Sequence, residues 1–204
     1  MARPRPIAAA RSPWSWAWAG GLLGLVFALV LFIPASWLAA RIESATNGRV
    51  VLAEARGSLW NGTANLQLTG GEGSNDHLAL PTPVEWHIHP RWNGLLIDAT
   101  TACCTTQPIE IRVHPGWRSV ALDIADSRSQ WPASLLAGLG TPWNTLQLDG
   151  DLVLATQGLS VEWSAGRLAL AGRAELQAQR MSSRLSTLRP MGSYRMTVTG
   201  GATP

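Results

Sequence analysis

One uncharged stretch, Ser12 to Ala40, most constrains this 204-residue chain, because it is long enough to cross a bilayer. Roughly 20 apolar residues suffice for a spanning helix, and Leu22-Leu23 with Leu25 to Ile33 form its centre. Arg3, Arg5 and Arg11 precede it with no acidic residue, so the positive-inside rule predicts a cytoplasmic N-terminus. Trp14, Trp16 and Trp18 mark one interface and Trp37 the other, as amphipathic rings do at headgroup level. Ser36 to Thr46 is expected to carry the helix onward until Asn47-Gly48 ends it. A cleavable signal peptide is the competing reading. It requires an apolar region of about 7–15 residues and a small-x-small site, whereas Leu38 lies two before Ala40 and Trp37 two before Ala39. The chain therefore reads as bitopic: a cytoplasmic tail over 1–12, an anchor over 13–40 and an exported domain over 41–204.

The exported part has about 160 residues, enough for one domain with a real core or for an elongated sheet. Of the 16 basic residues three precede the anchor, leaving 16 − 3 = 13 against 13 acidic ones. A formally neutral domain has no basic stripe to neutralise phosphates, which argues against nucleic acid as a partner. All the basic residues are arginine, which excludes Schiff-base chemistry and a P-loop lysine.

The two cysteines are adjacent, Cys103 and Cys104. In an oxidising compartment they could form a vicinal disulfide or pair with another chain; otherwise they are two small residues on a strand or turn. In none of these states do they staple distant segments, so the fold cannot depend on a long disulfide-closed loop.

After the anchor, period-2 alternation dominates. Ala64, Leu66 and Leu68 alternate with Asn65 and Gln67; Val84, Trp86 and Ile88 with Glu85, His87 and His89. The same pattern runs through Ile109–Val113 and Val120–Ile124, then Leu146–Leu148, Leu152–Leu154, Leu159–Trp163, Leu168–Leu176 and Tyr194–Val198. One buried and one wetted face is the mark of antiparallel strands, and the short Gly-, Asn- and Pro-bearing connections predict sequential hairpins. Asn61-Gly62 and Asp149-Gly150 are favoured turn dipeptides, with a bulge as the alternative at Asp149-Gly150. Asn61-Gly62-Thr63 also matches a glycosylation sequon, but a tight turn explains it more economically. Gly70 to His77 reads as a loop, and Pro132 to Leu139, bounded by Gly140, as one short helix. The fold class expected is mainly β: a single N-terminal transmembrane helix, then an antiparallel, curved or elongated sheet with one short helix.

No catalytic constellation is visible: there is no nucleophile elbow, no HExxH and no glycine-rich phosphate loop. His87 and His89 share a strand face with Glu85 and are weak metal candidates, since strand periodicity alone produces that alignment. No cofactor, small-molecule substrate or enzymatic activity is expected.

The ordered set of segments carries a resemblance. A basic N-terminus and anchor lead into Ile33-Pro34-Ala35-Ser36-Trp37; Ala55-Arg56-Gly57-Ser58-Leu59-Trp60-Asn61-Gly62-Thr63-Ala64 follows. Gly140-Thr141-Pro142-Trp143-Asn144-Thr145-Leu146 comes after the short helix, and Ser183 to Arg195, including Gly192-Ser193-Tyr194-Arg195, comes last. Across almost its whole length the chain resembles the type II secretion system protein N family. The Gly-Ser-Leu-Trp element alone is unspecific; the order of all four is what carries the resemblance. Family members continue for further strands beyond the Gly192-Ser193-Tyr194-Arg195 element, so this chain is a short member or a truncated frame, and Tyr194 to Val198 would leave an open edge.

The resemblance implies an accessory inner-membrane subunit of the machine that exports folded periplasmic proteins through an outer-membrane secretin. The implied partners are other inner-membrane subunits and the secretin's periplasmic part, and no catalytic residues are implied. Gly57, Leu59, Trp60, Gly62, Gly192 and Tyr194 are the expected structural residues of the motifs, with Trp60 packed in the core rather than in direct partner contact. The alternative function is an envelope β-groove that holds lipid or another amphiphile, lined by Trp86, Trp163 and the later leucines. A metal-dependent enzyme is a distant third and would need a further ligand beside His87 and His89.

Overall fold

A computed structural model describes residues 14–71, 73–164 and 166–201. The expected tail, with Arg3, Arg5 and Arg11, lies outside the described residues. The chain divides into a unit up to Ile33 and a second from Pro34 onward. In the first, α1 (Trp14–Leu31) is an uncharged helix of 18 residues, and every described side chain on it is exposed. Among the described residues no helix is long and apolar enough to cross a membrane.

The single helix expected through position 40 and beyond is broken. The helical run stops at Leu31, Pro34 is extended (φ −72°, ψ 151°), and α2 (Ala35–Ala45) starts afresh. Proline lacks the N–H that an interior turn needs and biases its predecessor away from the α region, which accounts for the break. Helix α2 belongs with the β-domain: Ala35, 1% exposed, packs with Ala64 and Trp86, and Leu38 lies against the same cluster. Asn47 (φ 51°) and Gly48 (φ 70°) then end it in the left-handed region that those residue types tolerate.

Among the described residues eleven strands follow: β1 (Val50–Gly57), β2 (Asn61–Thr69), β3 (His77–Ala79), β4 (Val84–Arg91), β5 (Gly94–Thr101), β6 (Ile109–Pro115), β7 (Ser119–Ile124), β8 (Ser127–Pro132), β9 (Asp149–Ser164), β10 (Arg167–Ser182) and β11 (Gly192–Gly200). A 3-10 helix (Ala133–Leu139) and a short α3 (Trp143–Leu146) separate β8 from β9. All pairings are antiparallel, in one sheet of order β1-β2-β4-β5-β6-β7-β9-β10-β11. Strand β3 shares an edge of β2 with β4, and β8 shares an edge of β9 with β7.

Register carries the alternation across the sheet. Directly opposed residues share a face, so Ile88, Ile97, Ile111, Ile124 and Leu159 form one continuous row. Leu95, Val113, Leu122, Val161 and Leu170 form a second. Towards the other end of β9 and β10, Ser129, Leu154, Leu176 and Met196 form a third. The face with these rows is curved inward. Strands β2 and β9 are separated by four others, so about 4.8 Å per step would hold them over 20 Å apart in a flat sheet. The 3-10 helix, about 14 Å long at 2 Å per residue, nevertheless touches β2, β3 and β9. It places Leu135 in a cluster with Leu80 and Cys104, flanked by Leu66, Leu68, Leu78, Val84 and Trp131.

Two turn expectations are corrected. Asn61 and Gly62 are the first residues of β2, not the turn; Gly57 pairs with Gly62, and Ser58-Leu59-Trp60 makes the bend. The Ser58 hydroxyl, which accepts from the Asn61 N–H (3.2 Å), and the Ser58 N–H, which donates to the Asn61 carbonyl (2.8 Å), close it. At Asp149-Gly150 there is a bulge: Asp149 pairs with Ser182 and Asp151 with Gln179, so Gly150 alone faces Arg180 and Met181. Leu146, expected to open a strand, ends α3 instead.

Candidate functional site: the inner face, its open edge and the polar back

The Gly57–Gly62 segment builds one end of the inner face. Gly57 sits at φ +90°, where a side chain is strained, and a Cβ there would meet the Asn61 carbonyl oxygen at 2.5 Å. Gly62 lies under Trp86; a Cβ on it would sit 2.8 Å from the indole Cε2 and 2.9 Å from the Arg56 carbonyl oxygen. The space that Gly62 leaves is filled by the Trp86 ring, whose Nε1–H donates to the Leu59 carbonyl at 3.0 Å. Trp86 is therefore the buried tryptophan of this region. Trp60, expected in the core, is only half-buried and offers its carbonyl to the Ile88 N–H at 2.7 Å.

The opposite end of the sheet is open. Tyr194, Met196 and Val198 alternate along β11 on the face that continues the apolar rows, and all three are exposed. Trp163 and Leu168, paired at the start of β10, are exposed on the same face. Gly192 begins β11 at φ +149° opposite Met181, beside a register shift in β10. Arg195, on the other face, pairs with Glu175 at 3.0 Å. The inner face is thus covered near β1–β4 by α2 and the 3-10 helix, which also reaches β9, and exposed along β11 and at the end of β9–β10 where Trp163 and Leu168 lie.

The polar face of the central strands carries close contacts of histidine and arginine with carboxylates. His89 Nε2 lies 3.5 Å from an Asp98 carboxylate oxygen, His114 Nε2 lies 3.3 Å from Asp123, and Arg112 lies 3.4 Å from Glu110. The rings of His87 and His89 stack with centroids 6.5 Å apart. Among the described residues no three histidine, cysteine or acidic side chains converge to hold a metal. His89 and His114 each face a carboxylate on the neighbouring strand, a cross-strand contact of polar side chains on that surface.

Cys103 and Cys104 are joined Sγ to Sγ in the β5–β6 connection. Cys104 is buried beside Leu80 and Leu135, and Cys103 faces outward. The connection is tied to its surroundings by hydrogen bonds: the Cys103 N–H donates to the Thr82 hydroxyl (3.0 Å), and the Gln130 N–H donates to the Cys104 carbonyl (2.8 Å). Sequence reasoning had no signal for this packing, because nothing in an adjacent cysteine pair says what lies across from it.

A family model described as "Type II secretion system (T2SS), protein N" matches residues 48–202, well over half of the chain. No curated protein and no solved structure matches it. The matched span runs from the end of α2 through β11 and takes in both the Gly57–Gly62 turn and the open edge. The chain belongs to the type II secretion system protein N family.

Proposed function

We propose that this protein is an accessory inner-membrane subunit of the type II secretion machine. It would hold a tail over 1–12 in the cytoplasm, an anchor within 13–40 in the membrane and the β-domain of 41–204 in the periplasm. It supports export of folded proteins across the outer membrane through protein contacts, not through chemistry. The observation that carries this reading is the family match over 48–202, joined to a sheet whose β11, among the described residues, pairs along one edge only. Strand β11 offers backbone groups for β-augmentation, and Tyr194, Met196 and Val198 offer alternate side chains for specificity. The partners of this edge are other inner-membrane subunits or the periplasmic part of the secretin.

The test is deletion of the gene followed by quantitation of secreted proteins outside the cell, with complementation by the full chain. The expected result is a drop in export restored by the wild-type gene and not by Met196→Asp. Undiminished secretion in the deletion strain would contradict it.

The uncovered inner face favours one second reading, amphiphile binding along the same apolar rows, because Trp163, Leu168 and Met196 are exposed there. Mass spectrometry of the native chain, released gently from membranes, separates the two: co-purifying lipid lost on Leu170→Asp supports the groove.

A further inference from the structure

Three neighbouring hairpins end on the same rim of the sheet. Arg91 pairs with Gly94 at the tip of β4–β5, Pro115 with Val120 at the tip of β6–β7, and Ser164 with Arg167 at the tip of β9–β10. The pairs Leu95–Val113 and Ser119–Ser164 set these tips side by side. Each tip joins a tryptophan to an arginine. Trp92 is 98% exposed and follows Arg91; Trp117 is 99% exposed and precedes Arg118; Trp163, 60% exposed, lies just before the third tip, which Arg167 closes. All three arginines are exposed, and none of the three turns contains an acidic residue. The nearest carboxylate on these strands, Glu162, points to the polar face opposite Ala121.

The chain enters the β-domain at the same rim. Pro34 bridges Ser58 in the β1–β2 turn, and Asn61 beside that turn pairs with His87 of β4, four residues from the Arg91 tip. The residue before Pro34 belongs to the uncharged segment whose helix α1 exposes every described side chain.

We propose that this rim is a bilayer-docking edge for anionic phospholipid: Trp92 and Trp117 seat at headgroup level while Arg91, Arg118 and Arg167 meet the lipid phosphates. Indoles prefer the membrane–water interface, and arginines near an anionic surface gain Coulomb energy that an interface with no acidic residue does not offset. With equal numbers of acidic and basic residues after position 40, this cluster is local and not a reflection of bulk charge. The rim sits where an apolar segment joins the domain, which favours a lipid surface over an acidic protein. Docked in this way, the sheet stands on the membrane with its strands rising from it, and its apolar rows lie in tiers parallel to the bilayer. The inference rests on the reading that places the chain in a membrane.

The test uses the full chain in nanodiscs of phosphatidylcholine, with and without phosphatidylglycerol. An environment-sensitive fluorescent amino acid replaces Trp92, Trp117, Leu25 of α1 or Asn75, and headgroup-labelled lipid serves as quencher. Asn75 is exposed in the loop at the far end of β2. The expected result is loss of emission at 92 and 117 but not at 75, deeper with phosphatidylglycerol. In the Arg91→Gln/Arg118→Gln/Arg167→Gln variant that dependence on phosphatidylglycerol disappears. Emission at 92 and 117 that matches 75 in both lipid mixtures overturns the docking edge and leaves a protein as the partner of the rim. With acyl-chain-labelled lipid as quencher, because a mid-bilayer probe lies about 15 Å from the headgroups, the Leu25 probe then separates the failures: quenched, the membrane reading stands without the edge; unquenched, both fall.

Discussion

The indole Nε1–H of Trp86 donates to the carbonyl of Leu59 across 3.0 Å, and this bond ties strand β4 to the β1–β2 turn. Gly62 makes the approach possible, because any side chain there would occupy the volume of the ring. Trp86→Ala should cost about 3–5 kcal/mol, since it removes a buried aromatic and leaves the Leu59 carbonyl without that donor. Trp60→Ala, at a half-buried position, should cost clearly less. Urea denaturation of the full chain in detergent gives the comparison, and equal losses would contradict the assignment of Trp86 as the core residue.

Gly62→Ala should destabilise by about 1–3 kcal/mol, the usual cost of overpacking a filled site. For a domain of this size that is a fall of several degrees in Tm, at roughly 2–4 °C per kcal/mol. The companion variant Gly62→Ala/Trp86→Phe shrinks the ring and should recover part of the loss. A double variant no better than the sum of its parts would mean that the two residues do not compete for one volume.

Helix α2 is predicted to be part of the β-domain's core. Ala35 is 1% exposed against Ala64 and Trp86, so Ala35→Leu should lose about 1–3 kcal/mol. Ala39→Leu, on the same helix but outside that buried cluster, should lose less than half as much. Thermal melts monitored by near-UV circular dichroism read the difference, which would vanish if α2 were only a continuation of the anchor.

The adjacent cysteines close no long loop, so the chain-entropy gain of a distant disulfide is absent. The effect of substitution should therefore follow burial. Cys104→Ser places a hydroxyl against Leu80 and Leu135 and should cost about 1–3 kcal/mol, whereas Cys103→Ser exposes its hydroxyl to water. Both changes remove the same bond, so if the two cost equally much, the stabilising role belongs to the bond and not to the packing of Cys104.

Much of the sheet was legible because alternation is a local signal. Ala64–Leu68, Val84–His89, Ile109–Val113 and Val120–Ile124 each lie within an observed strand. Strand β5 escaped notice: Leu95-Leu96-Ile97 is apolar on both faces, with Leu96 opposite His89 and Arg112 on the polar side. Strands β1, β3 and β8 also went unread, and β8, with Ser127, Ser129 and Gln130, contributes polar groups to both faces. The Asn61-Gly62 dipeptide misled because its glycine answers a packing demand from Trp86, twenty-four positions away, not a turn's need for positive φ. The 3-10 helix was visible from Pro132 and Gly140, but not that it joins β2 to β9, since that contact depends on sheet curvature. The hairpin rim was legible only as scattered Trp-Arg neighbours until register set the three tips side by side.

The central claim is that the chain acts in secretion through protein contacts at its open edge. In-cell photocrosslinking from Ser193, Thr197 and Val198 of β11, with products identified by mass spectrometry, tests it most directly. The account predicts adducts to other secretion-machine subunits, lost when Thr197→Pro removes a backbone donor from the strand. Adducts to lipid alone, with secretion unchanged after deletion of the gene, would contradict it.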